Sequence, residues 1–308
     1  MEKVAVGLDI GGTRIKMGIT ELNWGRVLAS RVFPTERVDE ATFYRSIRDS
    51  LKVLLDETAL ERSALEGVGV SIGSYVYADG TLDGMSCFVK FMTCGYPLRQ
   101  RLEATLGLPV AMDNDARLIG QAEALYGAGR GFDRVLTLTL GSGIGVGLCV
   151  GGQPVGNEAR QHLAGHLRVR GSDEPLCPDE PPCYCGIDGC FESSCSGTAL
   201  ERYAHYVLSP DIDNRTLFEL AASGNPGALA CRARYLTLLS RALNQYIYLY
   251  CPDVIVLGGG VSASLGPLLG TIQNSIRAKV NQRQQTVIRL AELQKDGGII
   301  GSTALFLC

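Results

Sequence analysis

The chain has 308 residues, which is more than one compact core usually holds, so we expect two domains. A formal net charge of −3 argues against nucleic-acid binding as the main role, because that role usually needs a basic face. No apolar run reaches the ~18 residues of a membrane helix, and residues 1–13 lack the pattern of an export signal, which together predict a cytoplasmic protein.

Residues 4–10 and 15–20 predict two β-strands joined by a glycine turn. The glycines at 11–12 expose backbone N–H groups and let a phosphate approach closely. Asp9, at the end of the first strand, can hold Mg²⁺ directly or through water, and the Thr13 hydroxyl can add a donor. This turn is the first candidate phosphate-binding loop.

The next elements are a helix over residues 40–57, with its apolar residues on one face, and a strand over 67–72. A second helix is predicted over 96–106. A strand over 109–112 follows and leads directly into a helix over 116–126, which Gly127 ends.

Asp115 stands where that strand stops and the last helix begins. Two roles are open for its carboxylate. It can cap the helix by accepting a backbone N–H. It can also act as a general base, because a hydroxyl is a poor nucleophile until a carboxylate takes its proton. The second role predicts phosphoryl transfer, with the loops and Mg²⁺ positioning the phosphates.

The opening pattern recurs about 130 residues later, as a strand over 135–140, a glycine turn over 141–145 and a strand over 146–150. This recurrence predicts a duplicated α/β fold with a cleft between its halves. A third glycine loop, at 258–260, follows a strand over 253–257 and precedes a helix whose N-terminus would attract phosphate. The remaining elements are predicted as helices over 228–250, 268–276 and 299–307 and a strand over 287–290.

Three of the eleven cysteines lie close together, with the spacing C-x-C-G-x-x-G-C. Without an export signal this cluster predicts metal ligands rather than disulfides. Zinc takes four ligands, and His166 is the best fourth candidate among three histidines, which would leave a closed structural site. The other eight cysteines are predicted to be small buried hydrophobes; they are Cys87, Cys94, Cys149, Cys177, Cys195, Cys231, Cys251 and Cys308.

In this order, the motifs resemble those of the ROK family of sugar kinases and sugar-responsive repressors over nearly the whole chain. The resemblance implies an actin-like, hexokinase-type α/β fold whose two lobes close on sugar and ATP. The lobes would be residues 1–116, with 298–308 packed on them, and residues 117–297, with the zinc site. The segments that carry the resemblance are 9–13 with Lys16, 114–116, 140–145, 165–166, the cysteine motif through Glu192, 196–197 and 252–260.

The resemblance also implies roles for single residues. It implies Asp115 as general base, and a homodimer or homotetramer as the assembly. The residues it places at Mg-ATP are Asp9, Gly11, Gly12, Thr13, Lys16, Gly141, Ser142, Gly143, Gly258, Gly259 and Gly260. Those it places at the sugar are Gly73, Asn114, Asp115, His166 and Glu192, and those at zinc are His166, Cys183, Cys185 and Cys190.

The sugar pocket departs from the family pattern Ala-Gly-Glu-x-Gly-His. Aligning the chain on its Gly-His step puts Leu163 where the sugar-binding Glu belongs. In a second register His166 replaces that Glu, as in N-acetylmannosamine kinases, and Val169 falls at the zinc histidine. We prefer the first register because Gly-His-Leu-x-Val continues the family pattern. Val89 or Lys90 also stands near a family Asn, and such altered donors predict an altered sugar preference.

Three functions follow from these observations. The first is an ATP-dependent kinase for a hexose or an acylaminohexose. The second is a sugar-binding repressor, but family repressors place a DNA-binding domain ahead of the first glycine motif, which here begins at Asp9. The third is a non-catalytic sensor with an altered pocket, suggested by Leu163 and Val89. The presence of Asp115 favours the kinase.

Overall fold

The computed structural model describes residues 2–84, 88–156, 163–171, 174–281, 283 and 285–307. The chain divides into two compact units. Unit 1 contains residues 1–130, 152–162 and 293–308, and unit 2 contains residues 131–151 and 163–292. Among the described residues, none of the helices combines the length and the apolar character needed to cross a bilayer.

Unit 1 is built on one mixed sheet with the strand order β3-β2-β1-β4-β5. The β1, β2 and β3 strands are antiparallel, whereas β4 runs parallel to both β1 and β5. The β1 and β4 strands are almost wholly buried, which explains why each is a nearly continuous apolar run. The strands are β1 Val4–Ile10, β2 Arg14–Glu21, β3 Arg26–Pro34, β4 Leu65–Ile72 and β5 Val110–Asn114.

The helices of unit 1 include one that packs very closely on the sheet, α9 (Gly297–Thr303). A Cβ on Gly69 of β4 would lie 1.8 Å from the Ser302 carbonyl oxygen, and one on Gly301 would lie 2.0 Å from that of Leu118. Glycine is therefore required where α9 meets the sheet and the neighbouring helix. The other elements of the unit are α1 Glu40–Thr58, α2 Leu98–Leu106, α3 Asp115–Tyr126 and the short strand β8 Gln153–Pro154.

In unit 2, four strands lie in the order β10-β9-β6-β7. The β6 and β7 strands form an antiparallel hairpin, and β9 runs parallel to β6 and β10. The strands are β6 Arg134–Leu140, β7 Ile144–Val150, β9 Val254–Gly258 and β10 Val287–Leu290, and the helices are α4 Phe191–Cys195, α5 Gly197–Val207, α6 Asn214–Ala222, α7 Pro226–Tyr250 and α8 Leu269–Ser275.

The two sheets confirm the predicted duplication, because β2-β1-β4-β5 and β7-β6-β9-β10 share the same order and strand directions. The expected lobe boundary at residue 116 stays a prediction. In the division above, residues 117–130 belong to unit 1, since α3 packs against α9. The helix predicted over 299–307 instead begins at Gly297 and ends as an α-helix at Thr303.

The prediction that the eight scattered cysteines are buried is correct for only some of them. Cys149, Cys177, Cys195 and Cys231 are buried, which confirms the prediction for them. The prediction is wrong for Cys94, which is exposed in the loop before α2, and Cys251 is half-buried at the end of α7. Cys87 and Cys308 lie outside the described residues.

Candidate active site

The carboxyl ends of β1, β4 and β5 bring several polar side chains to one edge of the unit 1 sheet. The strand register pairs Asp9 with Ser71 and Ser71 with Asp113. Ligands of open α/β sheets bind outside the carboxyl ends of parallel strands. This edge is therefore the natural place for a site in unit 1.

Asp9 is held in a largely buried setting at that edge. The Ser71 hydroxyl donates to Asp9 Oδ1 at 2.8 Å, and Lys16 Nζ lies 3.8 Å from Asp9 Oδ2 and 3.1 Å from the carbonyl oxygen of Lys295. Desolvation raises the pKa of Asp9, while the Ser71 hydrogen bond and the Lys16 charge oppose that rise. The structure thus brings Asp9 and Lys16 together, and it adds Ser71, which sequence reasoning missed.

Gly298 of α9 lies directly against the Asp9 carboxylate. A Cβ on Gly298 would lie 2.5 Å from Asp9 Cγ and 2.7 Å from Oδ2. We expect Gly298→Ala to displace this carboxylate and to lower the free energy of unfolding by about 1–3 kcal/mol through overpacking. It should also raise the KM for the Mg-ATP that the family resemblance implies at Asp9.

Denaturant unfolding and steady-state kinetics check this prediction. Gly270→Ala in α8 is the matched control, because a Cβ there has no neighbour within 4 Å. The control should keep the KM and should not lower the free energy of unfolding, because alanine in a helix with open space around it is at least as stable as glycine. If both alanine variants gave the same KM for Mg-ATP, Gly298 would have no part in placing Asp9.

The glycine turn between β1 and β2 is fixed by its own backbone and covered by an aromatic ring. Gly11 N–H donates to the Arg14 carbonyl oxygen at 3.1 Å, and the Thr35 hydroxyl donates to the Gly11 carbonyl oxygen at 2.8 Å. A Cβ on Gly12 would lie 2.8 Å from Cγ of Phe88, so a larger residue at position 12 would have to displace this side chain. The Phe88 ring is about half exposed and was not predicted. Thr13 is also exposed at this turn.

Asn114, rather than Asp115, is the N-cap residue of α3. Asn114 Oδ1 accepts from the N–H groups of Ala116 and Arg117 at 3.0 and 3.4 Å, and its Nδ2 donates to the Ser74 carbonyl oxygen at 3.3 Å. Because this buried amide is used for the cap, Asp115 takes the first helical position. The sugar contact expected of Asn114 stays a prediction.

The Asp115 carboxylate is half-buried at the N-terminus of α3. Its Oδ1 accepts from Ala116 N–H at 2.8 Å, and its Oδ2 lies 3.4 Å from the position that a Cβ on Gly73 would take. Asp113, two residues earlier, is instead paired with buried Arg117 at 2.9 Å. The structure therefore brings Asp115 and Gly73 together and leaves Asp113 in a structural ion pair.

In unit 2, two glycine loops follow the adjacent parallel strands β6 and β9. Gly141 N–H donates to the Gly143 carbonyl oxygen at 3.0 Å, and Ser142 is exposed at the tip. Gly259 has φ 84°, and its Cβ would lie 2.5 Å from the Leu140 carbonyl oxygen, so only glycine fits there. The register pairs Thr139 with Gly258, which places both loops at the same edge of the sheet.

The helix predicted over 268–276 is confirmed as α8, but it does not directly follow the third glycine loop. A 3₁₀-helix of five residues, Gly260–Ser264, follows the loop, and α8 begins only at Leu269. Such a short helix has too few aligned peptides for the dipole support that the sequence suggested. Gly259 and Gly260 are exposed, so their backbone remains accessible to a ligand.

Glu192 joins the cysteine motif to the first of these loops. It lies in the first turn of α4, and its Oε2 accepts from Ile144 N–H at 2.8 Å. A Cβ on Gly143 would lie 2.8 Å from the same oxygen. Glu192 Oε1 lies 3.9 Å from His166 Nε2. Glu192 and His166, both predicted at the sugar, are therefore neighbours in unit 2.

The ligand atoms of His166, Cys183, Cys185 and Cys190 all lie within 4.8 Å of one another. His166 Nδ1 is 3.4 Å from Cys190 Sγ and 3.6 Å from Cys183 Sγ. Three sulfurs and one imidazole nitrogen at this spacing fit a tetrahedral ion of the zinc type. Val169, which falls at the zinc histidine in the second register, has no side-chain ligand atom, whereas His166 lies beside the three sulfurs, so the geometry favours the first register.

The local backbone explains how the motif closes. Gly186 and Gly189 have φ values of 76° and 64°, and a Cβ on Gly189 would lie 2.2 Å from the Arg170 carbonyl oxygen. Burial raises the pKa of the Cys190 thiol to about 12. A bound cation is what would make this thiol a thiolate at neutral pH.

Tyr184, between two of the cysteines, was missed by sequence reasoning. Its hydroxyl oxygen lies 2.6 Å from His166 Nε2, and the two rings meet edge to face at 4.8 Å. Its position between two predicted ligands was the one signal that could have drawn attention to it. Leu163, at the position of the expected sugar-binding Glu, is exposed.

Known proteins match this chain over almost its whole length, both in sequence and in structure. The family model described as "ROK family" matches residues 5–308. The chain is 30% identical to a glucokinase of Thermotoga maritima, over 97% of this chain and 96% of the relative, and 30% identical to an N-acetyl-D-glucosamine kinase of Pectobacterium atrosepticum, over 98% of both. A glucokinase from Streptomyces griseus, solved with glucose and AMPPNP, is 27% identical with a TM-score of 0.74, over 98% of both chains.

Proposed function

The chain belongs to the ROK family, and we propose that it is an ATP-dependent sugar kinase in which Asp115 is the general base. Its fold is the actin-like α/β fold of the ROK hexokinases and glucokinases it resembles in structure. The acceptor is a hexose or an acylaminohexose, which the glucokinase and N-acetylglucosamine kinase relatives support.

The observation that carries the proposal is the placement of Asp115. Asn114 supplies the helix cap and Asp113 is paired with Arg117, whereas the half-buried Asp115 carboxylate lies at the N-terminus of α3 with Oδ2 3.4 Å from the Cβ position of Gly73, a residue expected at the sugar. In the reaction, the sugar hydroxyl oxygen forms a bond to the γ-phosphorus of ATP, the bond from that phosphorus to the β–γ bridging oxygen breaks, and ADP leaves. The hydroxyl proton passes to Asp115, which keeps the attacking oxygen nucleophilic.

The glycine loops and the Asp9 pair would bind the donor. The turn at 11–13 and the loops at 141–143 and 258–260 would offer backbone N–H groups to phosphate oxygens, apart from those of Gly11 and Gly141, which donate within their own turns. Mg²⁺, when bound, neutralises charge on the phosphates, and Asp9 would hold it directly or through water. Lys16, 3.8 Å from Asp9, adds a positive charge at the same edge.

The acceptor would contact Gly73 and Asn114 as well as Asp115 in unit 1. His166 and Glu192, which are neighbours in unit 2, would bind sugar hydroxyls. Leu163 brings no hydrogen-bonding group to its position, which supports a sugar preference different from that of the usual family pocket.

The four-ligand cluster would hold one structural zinc ion. A closed set of three thiolates and one imidazole leaves no open position for substrate on the metal, so zinc would stabilise the fold of the segment that carries His166 and Glu192. A homodimer or homotetramer, which the family resemblance implies, stays a prediction.

The test is ADP formation across a panel of glucose, mannose, allose, N-acetylglucosamine, N-acetylmannosamine and N-acetylgalactosamine with Mg-ATP. We expect sugar-dependent ADP release with one or two of them and a phosphorylated sugar as the second product. Absence of turnover with every sugar would contradict the proposal, and calorimetric binding of a sugar without turnover would instead support a sensor.

A further inference from the structure

Tyr184 occupies an unusual position for an exposed aromatic residue. It lies between Cys183 and Cys185, and 75% of its surface is exposed. Its hydroxyl oxygen is nevertheless 2.6 Å from His166 Nε2, and its ring stands at 78° to the imidazole. Because packing covers so little of this side chain, the contact with His166 is its main anchor.

The two nitrogens of His166 have different surroundings. Nδ1 faces the sulfurs of Cys190 and Cys183 at 3.4 and 3.6 Å, whereas Nε2 faces the Tyr184 hydroxyl. A metal-bound imidazole almost always donates its second N–H to an outer partner, which fixes the tautomer and the orientation of the ring.

Glu192 also lies near Nε2, but it is less well placed than Tyr184 to be that partner. Its nearer oxygen lies 3.9 Å away, beyond a hydrogen bond, and its second oxygen accepts from Ile144 N–H at 2.8 Å. Of these two groups, Tyr184 is therefore the one within hydrogen-bond distance of His166 Nε2.

We propose that Tyr184 is a positioning residue that accepts the Nε2–H of His166 when no sugar is bound and yields this nitrogen to a sugar hydroxyl when sugar binds. The first part concerns the metal site alone. The second part rests on the proposed function, in which His166 contacts the sugar. Since one N–H can satisfy only one close acceptor well, the sugar and Tyr184 would compete for it.

The two cysteines beside Tyr184 would hold its backbone in place when the metal is bound. When Cys183 and Cys185 are bound to the metal, the backbone of Tyr184 is held at both sides, so the hydroxyl is presented to His166 without further ordering. The metal would thus place Tyr184, and Tyr184 would in turn hold the fourth ligand on the metal.

Zinc retention tests the proposal without any activity measurement. Purified, zinc-loaded wild type and Tyr184→Phe are titrated with a chromogenic zinc chelator, and Tyr206→Phe, an exposed tyrosine in α5, is the matched control. Without sugar, we expect the zinc dissociation constant of Tyr184→Phe to rise by about 10-fold, as is usual on loss of an outer-shell partner. The control should match the wild type.

The same titration is repeated with a saturating amount of whichever sugar the enzyme accepts. The sugar hydroxyl then replaces the tyrosine as partner, so the difference between Tyr184→Phe and the wild type should largely disappear. Equal zinc retention without sugar would overturn the positioning role, and a 10-fold difference that persists with sugar would overturn the exchange.

A further variant identifies the outer partner directly. If Glu192→Gln, rather than Tyr184→Phe, weakened zinc binding, Glu192 would be the partner and the proposal would be wrong. If no sugar were accepted at all, the proposed function would fail, but the sugar-free titration would still decide the role of Tyr184.

Discussion

Asp115→Asn is expected to lower kcat for sugar phosphorylation by about 10²–10⁴-fold, the usual contribution of a general base. The amide keeps an oxygen that can accept from Ala116 N–H, as Oδ1 does at 2.8 Å, but it cannot take a proton from the sugar. The fold and the KM for Mg-ATP should therefore change little. Steady-state kinetics with the accepted sugar, together with thermal unfolding, provides the measurement.

Two further Asp→Asn variants separate chemistry from structure. Asp49→Asn lies on the exposed surface of α1 and should behave as the wild type. Asp113→Asn loses its charge pair with Arg117, so it should lower the unfolding temperature clearly but change kcat little. An Asp115→Asn enzyme with more than a tenth of the wild-type kcat would rule out the general-base role.

Cys190→Ser is expected to abolish stable zinc binding and to lower the unfolding temperature strongly. Cys190 is fully buried, and its sulfur lies 3.4 Å from His166 Nδ1. Loss of one ligand from a closed set of four should weaken zinc binding by more than about 100-fold, the upper range for loss of a mere outer-shell partner. Because the binding energy of a structural zinc site is folding energy, stability should fall with it.

Elemental analysis and calorimetric unfolding check this expectation. The wild type should contain about one zinc ion per chain, and Cys94→Ser, at an exposed cysteine outside the cluster, should retain it. A Cys190→Ser protein with full zinc content and unchanged unfolding temperature would show that the cluster is not the metal site.

The strand–turn–strand units and the cysteine motif could be predicted because their signals are local. A buried apolar run beside paired glycines is visible in the sequence itself, and so is the close spacing of Cys183, Cys185 and Cys190. The strand Arg26–Pro34 was missed because it is an edge strand with mostly exposed residues and only short apolar stretches. No sequence prediction covered the helices α4, α5 and α6.

The finer assignments at the site depend on contacts that sequence does not show. Asn114 and Asp115 are adjacent acceptors before one helix, and only the backbone at Asn114, with φ −64° and ψ 143°, decides which of them is the cap. Ser71, Phe88 and Gly298 reach Asp9 and the glycine turn from distant parts of the chain. Such partners are set by strand register and helix packing, so no local pattern marks them.

Two residues that depart from the family pattern at expected sugar contacts, Val89 and Leu163, differ in exposure. Val89, near the expected family Asn, is buried with 3% exposure, whereas Leu163 is 44% exposed. Neither side chain offers a hydrogen bond to a hydroxyl. Discrimination among sugars would therefore fall to the remaining polar groups, which makes a preference different from the usual family substrate the expected result.

The most direct test of the central claim is a crystal structure of the wild type with the accepted sugar and a non-hydrolysable ATP analogue. We predict that one carboxylate oxygen of Asp115 lies about 2.6–3.2 Å from the sugar hydroxyl that faces the γ-phosphate. A complex in which that hydroxyl contacts another group, while both Asp115 oxygens remain on the helix N–H groups, would contradict the account.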